Sequence, residues 1–149
     1  MPLPRSDFTF MHTLRVRWAE VDAQGIVFNG HYLTYFDVGI TEYWRAAGLR
    51  YPDAFATADT DLFLVKATLE YRAPARFDDL LDIAVRCTRL GRSSMTYALA
   101  VYRQDICLTN GELIYVHANP HTRTAQPLPD VVRNALCRFD PSLATAPQL

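Results

Sequence analysis

One helix set among strands constrains this chain most. Over residues 30–47 the apolar positions Leu33, Phe36, Ile40, Trp44 and Ala47 recur every three or four residues, which is one face of a helix. Tyr32, Tyr35, Gly39 and Tyr43 form a second stripe beside it, leaving Thr34, Asp37, Thr41 and Arg45 for water. So wide an apolar face must be covered on most sides. The segments around it alternate instead. Residues 8–18 place Phe8, Phe10, His12, Leu14, Val16 and Trp18 on one face of a strand. A loop over residues 49–60 follows, then strands over residues 62–72, Leu80–Leu90, Ser94–Arg103 and residues 108–118. Strand, long helix, then consecutive strands predict an α+β fold in which an antiparallel sheet covers the helix.

The punctuation agrees with this order. Asn29 suits the helix N-cap and Gly48 the position after its last turn. Asp78-Asp79 and Gly91-Arg92 read as turns. Asn110-Gly111 is a strong hairpin signal, but using it would leave one strand much longer than its partner. A turn at Gln104-Asp105 is preferred, with Gly111 as a bulge in the last strand. Gly39 inside the helix costs about 1 kcal/mol relative to Ala, which a close backbone contact would explain. After His121 the chain turns polar and proline-bearing. The reading is one domain over residues 1–129, then a short helix from Asp130 to about residue 136 and a tail to residue 149.

Composition removes several classes of function. Half of the 149 residues are apolar, so disorder is excluded for most of the chain. The formal net charge of -1, with acids and bases interspersed, argues against a nucleic-acid partner held by bulk charge. The three cysteines, Cys87, Cys107 and Cys137, lack metal-ligand spacing and read as small core residues in a reducing cytosol. No N-terminal apolar leader and no membrane-spanning run is present. The expectation is a cytoplasmic protein with no metal, no cofactor and no integral membrane segment.

The chemistry concentrates between Trp18 and Arg45. Asp22 stands on a loop with Gly25, and the loop ends where the helix begins. A loop carboxylate facing a helix N-terminus supplies what acyl transfer requires: a nucleophile or base, and N–H donors for a carbonyl oxygen. Asp22 next to Gly25 also fits a simple turn. Gly25 fits either a tight turn or a close approach to substrate. Glu20, two residues before Asp22, points the same way if the strand continues, and could then raise the Asp22 pKa; otherwise it is a solvated strand-end charge. Asp37 on the helix is the runner-up acid.

Three stretches carry a family resemblance: VDAQGIVFNGHYLTYF within residues 17–35, EYRAPARFDDLL from Glu70, and RLGRSSMTY from Arg89. Over most of the chain, to about Pro129, it resembles the hot-dog-fold acyl-CoA thioesterases. The match is to the 4-hydroxybenzoyl-CoA thioesterase-like group, which includes the Tol-Pal-associated thioesterases. The resemblance implies a five-stranded sheet wrapped on the helix, assembly into homodimers or homotetramers, and an acyl-CoA substrate hydrolysed to free acid and CoA. It makes Asp22 the catalytic carboxylate, as nucleophile or general base, and makes the amides near Asn29 and Gly30 the donors to the thioester oxygen. Gly25, His31 and Tyr32 are then expected around the substrate, and Arg92, Ser93 and Ser94 at the nucleotide phosphates. Relatives often carry His at the position of Asn29 and a small or polar residue at that of His31, so the two positions depart from the pattern here. Two other functions share such a fold: acyl-thioester dehydration or hydration, and a non-catalytic acyl-CoA-binding subunit. Assembly is expected because one sheet on one helix would leave Met95, Tyr97, Val101 or their neighbours uncovered.

Overall fold

The computed structural model describes residues 3–145, so the end of the expected tail, residues 146–149, lies outside the described residues. The elements run β1 (Phe10–Arg15), α1 (His31–Ala46), β2 (Asp61–Tyr71), β3 (Leu80–Leu90), β4 (Ser94–Arg103), β5 (Ile106–Ala118), α2 (Asp130–Phe139) and α3 (Ser142–Thr145). The five strands form one antiparallel sheet in the order β1-β3-β4-β5-β2. β1 pairs with β3 in the register Phe10 with Val85 and Arg15 with Leu80.

The departures from expectation are local. β1 stops at Arg15, and Trp18–Glu20 winds into a single 3-10 turn. Trp18, expected on the apolar strand face, is 73% exposed as a result. β5 begins earlier than expected, at Ile106, while the turn before it falls at Gln104-Asp105 as expected, where Gln104 takes a φ of 54°. α2 runs three residues beyond its expected end, to Phe139. The α1 helix starts at His31, so the position before its first turn is Gly30 rather than Asn29. Asn29 makes no side-chain cap hydrogen bond among the described residues.

The chain divides into two compact units. The first comprises residues up to 43, residues 68–86 and residues 98–111. Its core joins Leu81, Ile83 and Val85 of β3 to Leu99 and Val101 of β4 and to Phe36, Ile40 and Tyr43 of α1, all 1% exposed or less. Gly39 is the reason the helix can lie so close. A Cβ there would stand 2.5 Å from Ile83 Cγ2 and 3.2 Å from Val85 Cγ2. Gly39→Ala gains helix propensity but forces β3 away, and overpacking of this kind costs about 1–3 kcal/mol. A lowered thermal midpoint is the expected result; an unchanged or raised one would mean that the contact relaxes freely. On the other face of these strands Ala84, Ala100 and Tyr102 gather Phe8, Met11 and Cys107. The N-terminal segment closes over them: Arg5 lies 5.1 Å above the Tyr102 ring, whose hydroxyl donates to the Leu3 carbonyl at 3.1 Å.

The second unit comprises residues 44–67, residues 87–97 and the chain from residue 112. Trp44 is its centre. The indole N–H donates to the Tyr97 hydroxyl at 2.8 Å, and its ring packs on Phe55 and Tyr115. Such a buried indole needs a partner for its N–H, and Tyr97 provides it. His117 is also buried, with its two ring nitrogens each 3.0 Å from a carbonyl oxygen, of Pro127 and of Phe55. α2 buries Val132, Ala135 and Leu136, the spacing of one helix face. Cys87 is a core residue here, and burial pushes its thiol up to about 12.

Met95, Tyr97 and Val101 are buried, while their strand neighbours Thr96 and Ala98 are half-buried. The exposed apolar run lies instead on β2, at Phe63, Leu64 and Val65. The sheet order explains this, because β2 is an edge strand.

Candidate active site

The Asp22 loop is a closed hairpin of the first unit. The Glu20 carbonyl accepts the Phe28 N–H at 3.0 Å, Val21 and Val27 form an antiparallel bridge, and the Asp22 N–H donates to the Ile26 carbonyl at 2.9 Å. The tip turns because the Gly25 N–H reaches the Asp22 carbonyl at 3.0 Å and Gly25 takes a φ of 77°. Nothing stands within 4 Å of the place of a Gly25 Cβ. The glycine therefore serves the turn conformation rather than a close approach of the chain to itself. Asp22 accepts the Gln24 N–H on Oδ1 at 2.8 Å, an Asx turn that fixes the side chain and leaves Oδ2 open.

Asp22 lines a cleft of about 340 Å³ with Gln24, Ile26, Val27, Asn29, Tyr32, Tyr71, Arg72, Ala73 and Pro74. Of the expected residues, the structure thus brings Asp22, Asn29 and Tyr32 together. Gly25 is at the loop tip, and Gly30 precedes α1 with its Cα facing the Phe28 ring. The N–H groups of Asn29 and Gly30 donate to no acceptor among the described residues, whereas those of His31 and Tyr32 already bond to the Phe28 and Asn29 carbonyls. His31 packs edge-on against Phe28 at 5.6 Å and does not line the cleft. Tyr32 lines it with its ring, but its hydroxyl is committed to the Ala75 N–H at 3.0 Å. Burial is the main cause that raises the Tyr32 hydroxyl above its ordinary pKa.

Tyr71 and Arg72 are cleft residues that the strand alternation did not single out. The Tyr71 hydroxyl donates to the Asn29 carbonyl at 3.0 Å and so ties the end of β2 to the start of α1. Arg72 Nε donates to Asn110 Oδ1 at 2.6 Å, and Nη2 pairs with Glu70 at 3.2 Å. Both residues lie in the EYRAP stretch, so a sequence signal was present.

Glu20 behaves unlike either expectation. It is 7% exposed and faces a different cleft, with Arg15, Arg17, Thr34 and Tyr35, so it is neither a partner of Asp22 nor a solvated charge. The 3-10 turn breaks the two-residue alternation that would have aligned the two acids. Burial opposes ionisation of Glu20, but hydrogen bonds from the Arg17 N–H, its guanidinium and the Tyr35 hydroxyl outweigh it and hold the carboxyl below the usual carboxylate range. The ionised form therefore stabilises the fold above the ordinary carboxylate pKa, and this is lost as pH falls through the lowered value. Asp37 is exposed on α1 and lines none of these clefts.

Arg92, Ser93 and Ser94 belong to the second unit and are not part of the Asp22 cleft. Their backbone serves the fold there: the Arg92 carbonyl accepts the Leu128 N–H and the Ser93 carbonyl the His117 N–H, each at 2.8 Å. The Arg92 side chain is exposed. Among the described residues no cluster of His, Cys, Asp and Glu could hold a metal ion, and no helix is long and apolar enough to cross a membrane.

Comparison with known proteins bears on this arrangement. The profile of the thioesterase superfamily matches residues 24–108. An Aquifex aeolicus protein whose name marks it as a candidate esterase is 30% identical over 99 residues, 66% of this chain and 77% of that protein. The Escherichia coli acyl-CoA thioester hydrolase YbgC is 29% identical over 122 residues, 80% of this chain and 90% of its own. Among solved structures, a 1,4-dihydroxy-2-naphthoyl-CoA thioesterase from Synechocystis superposes with a TM-score of 0.82 at 21% identity, covering 88% of this chain and 97% of the other. That identity speaks for the fold alone. With the profile matching more than half of its length and the sheet and helix in the order the resemblance implied, the chain belongs to the thioesterase superfamily and has the hot-dog fold.

Proposed function

We propose that the protein hydrolyses acyl-CoA thioesters to a free acid and CoA, with Asp22 as the catalytic carboxylate. The observation that carries this reading is the cleft that joins Asp22, with one oxygen open, to the start of α1, where the Asn29 and Gly30 N–H groups are uncommitted. Family membership supports the reaction class. In the reaction, Asp22 attacks the thioester carbon or takes the proton of the water that does. The carbonyl oxygen gathers negative charge, which N–H donors at a helix N-terminus stabilise. The C–S bond then breaks, its electron pair leaves with sulfur, and the thiolate takes up a proton. When Asp22 itself attacks, water then opens the acyl–Asp22 anhydride, releasing the acid and restoring the carboxylate; on either route water has been added across one bond, and no redox partner is involved. Tyr32, Tyr71, Ile26, Val27 and Pro74 offer the acyl group a mostly apolar wall. A reducing cytoplasm suits the three free cysteines. The exposed edge strand β2 suits assembly into a homodimer or homotetramer.

Release of thiol from short, long and aromatic acyl-CoAs tests the reading and fixes the acyl preference. Thiol release from at least one class is expected. Formation of an enoyl product without thiol release would replace hydrolysis with dehydration, and tight binding without either product would make the chain a binding subunit.

The Arg92 side chain is assigned to the nucleotide end of CoA, on its exposure and its place in the RLGRSSMTY stretch. Arg92→Ala is then expected to raise KM for acyl-CoA while leaving kcat near wild type, because a remote phosphate contact is made equally in the ground and transition states. A short acyl thioester without the nucleotide should be unaffected. Equal losses on both substrates would show that Arg92 supports the fold instead.

A further inference from the structure

We infer that Glu20 is a positioning residue for catalysis, a buried anionic hook that holds the Asp22 loop against helix α1. This rests on the assignment of Asp22 made above. The backbone of Glu20 is the base of the loop, since its carbonyl accepts the Phe28 N–H at 3.0 Å and Asp22 follows two residues later. Its side chain is fixed from two directions. Oε1 accepts the Arg17 N–H at 2.7 Å and the Tyr35 hydroxyl at 3.1 Å, and Oε2 accepts Arg17 Nη2 at 3.0 Å. Arg17 lies before the loop and Tyr35 lies on α1, four residues after His31. One carboxylate therefore links the loop that carries the acid to the helix that begins just after Asn29, a residue of the same cleft.

The chemistry explains why an acid is used. A buried charge is costly to desolvate, and a well-packed apolar side chain would stabilise the turn at least as well. What an apolar side chain lacks is direction. Four donors from two segments, the Arg17 N–H, Nε and Nη2 and the Tyr35 hydroxyl, fix one carboxylate within a narrow range of positions, and the loop backbone follows it. Reaction rates are sensitive at this scale, because a displacement of about 1 Å can cost roughly 10²-fold. On the same helix Tyr32, with its ring 5.8 Å from that of Tyr35, adds a second tie: its hydroxyl receives the Ala75 N–H, while the Val27 N–H donates to the Ala75 carbonyl. The loop and helix α1 are thus tied together through Tyr35 and through Tyr32, and Glu20 is the tie that lies outside the Asp22 cleft.

The test compares Glu20→Ala, Glu20→Gln, Tyr35→Phe and Asp22→Asn by kcat, KM and thermal midpoint, assayed well below every midpoint. Glu20→Ala should lower kcat about 10²-fold with KM nearly unchanged. Glu20→Gln keeps an acceptor for Arg17 N–H and Tyr35, and should recover most of that loss. Tyr35→Phe removes one donor and should lower kcat several-fold, so it serves if Glu20→Ala fails to fold. In the Asp22→Asn background, Glu20→Ala should add little, because the group it positions is gone. Wild-type kcat in Glu20→Ala with only a lowered midpoint, or wild-type kcat in Tyr35→Phe, would overturn the inference. Retained activity in Asp22→Asn would instead overturn the assignment of Asp22, whatever Glu20 does.

Discussion

Asp22→Asn is expected to lower kcat for acyl-CoA hydrolysis by about 10²–10⁴-fold, the range lost when a positioned acid or base is removed. The substitution is nearly isosteric. The amide oxygen can still accept the Gln24 N–H that Oδ1 accepts now, so the Asx turn and the loop should persist. What disappears is the negative charge and the basicity of the second oxygen, which accepts no hydrogen bond from the loop. The effect should therefore fall on kcat rather than on KM, and an unchanged circular dichroism spectrum and thermal midpoint should accompany it. Near-wild-type turnover in a folded variant would remove Asp22 from the mechanism. Asp37→Asn, on the exposed face of α1, is the natural control and should be close to wild type.

The largest expected effect on stability is at Gly111 in β5. A Cβ there would fall on the Thr68 carbonyl oxygen of β2 and 2.9 Å from Phe36 Cε2 of α1. Neither neighbour can swing away like the end of a flexible side chain: one is backbone and the other a ring that is fully buried. Gly111→Ala must therefore part β5 from β2 or displace the ring. A cost of about 3 kcal/mol or more is expected, at the upper end for overpacking. For a chain of this length that corresponds to roughly 10 °C in the thermal midpoint. Gly48→Ala is the informative comparison, since Gly48 takes a φ of 85° but has nothing within 4 Å of a Cβ. It should cost about 1 kcal/mol, from conformation alone. A Gly111→Ala midpoint no lower than that of Gly48→Ala would show that the two strands separate without penalty.

Much of this architecture was legible because periodicity is written on both sides of a packed interface. Helix α1 emerges from the spacing of Phe36, Ile40 and Trp44, and β3 and β4 match the alternating runs residue for residue, because their inner faces are fully buried. The failures share a cause as well. Arg17, Trp18, Ala19 and Glu20 continue the alternation of β1, yet the Glu20 side chain bonds back to the Arg17 N–H and closes a 3-10 turn. That reciprocal bond outweighs one more step of strand pairing, and it turns Glu20 away from Asp22. Gly111 carries a further constraint, the Thr68 carbonyl of a neighbouring strand, which no local pattern encodes. The same holds for the clamp at His117, whose partners at Phe55 and Pro127 are distant in sequence. In the cleft, Asp22 and Asn29 stood out through the loop-to-helix order. Tyr71 and Arg72 did not, because at the end of an edge strand they look like any alternating pair until the chain brings them beside the Asp22 loop.

Hydrolysis in the Asp22 cleft means that water, and no other acceptor, takes the acyl group from sulfur. The most direct measurement follows the wild-type protein with its best acyl-CoA and quantifies CoA thiol and free acid in the same time course, in water enriched in ¹⁸O. One free acid is expected for every thiol released, with ¹⁸O in the acid carboxyl over many turnovers. Absence of thiol release from every acyl-CoA class, or thiol release without a matching ¹⁸O-labelled acid, would contradict it.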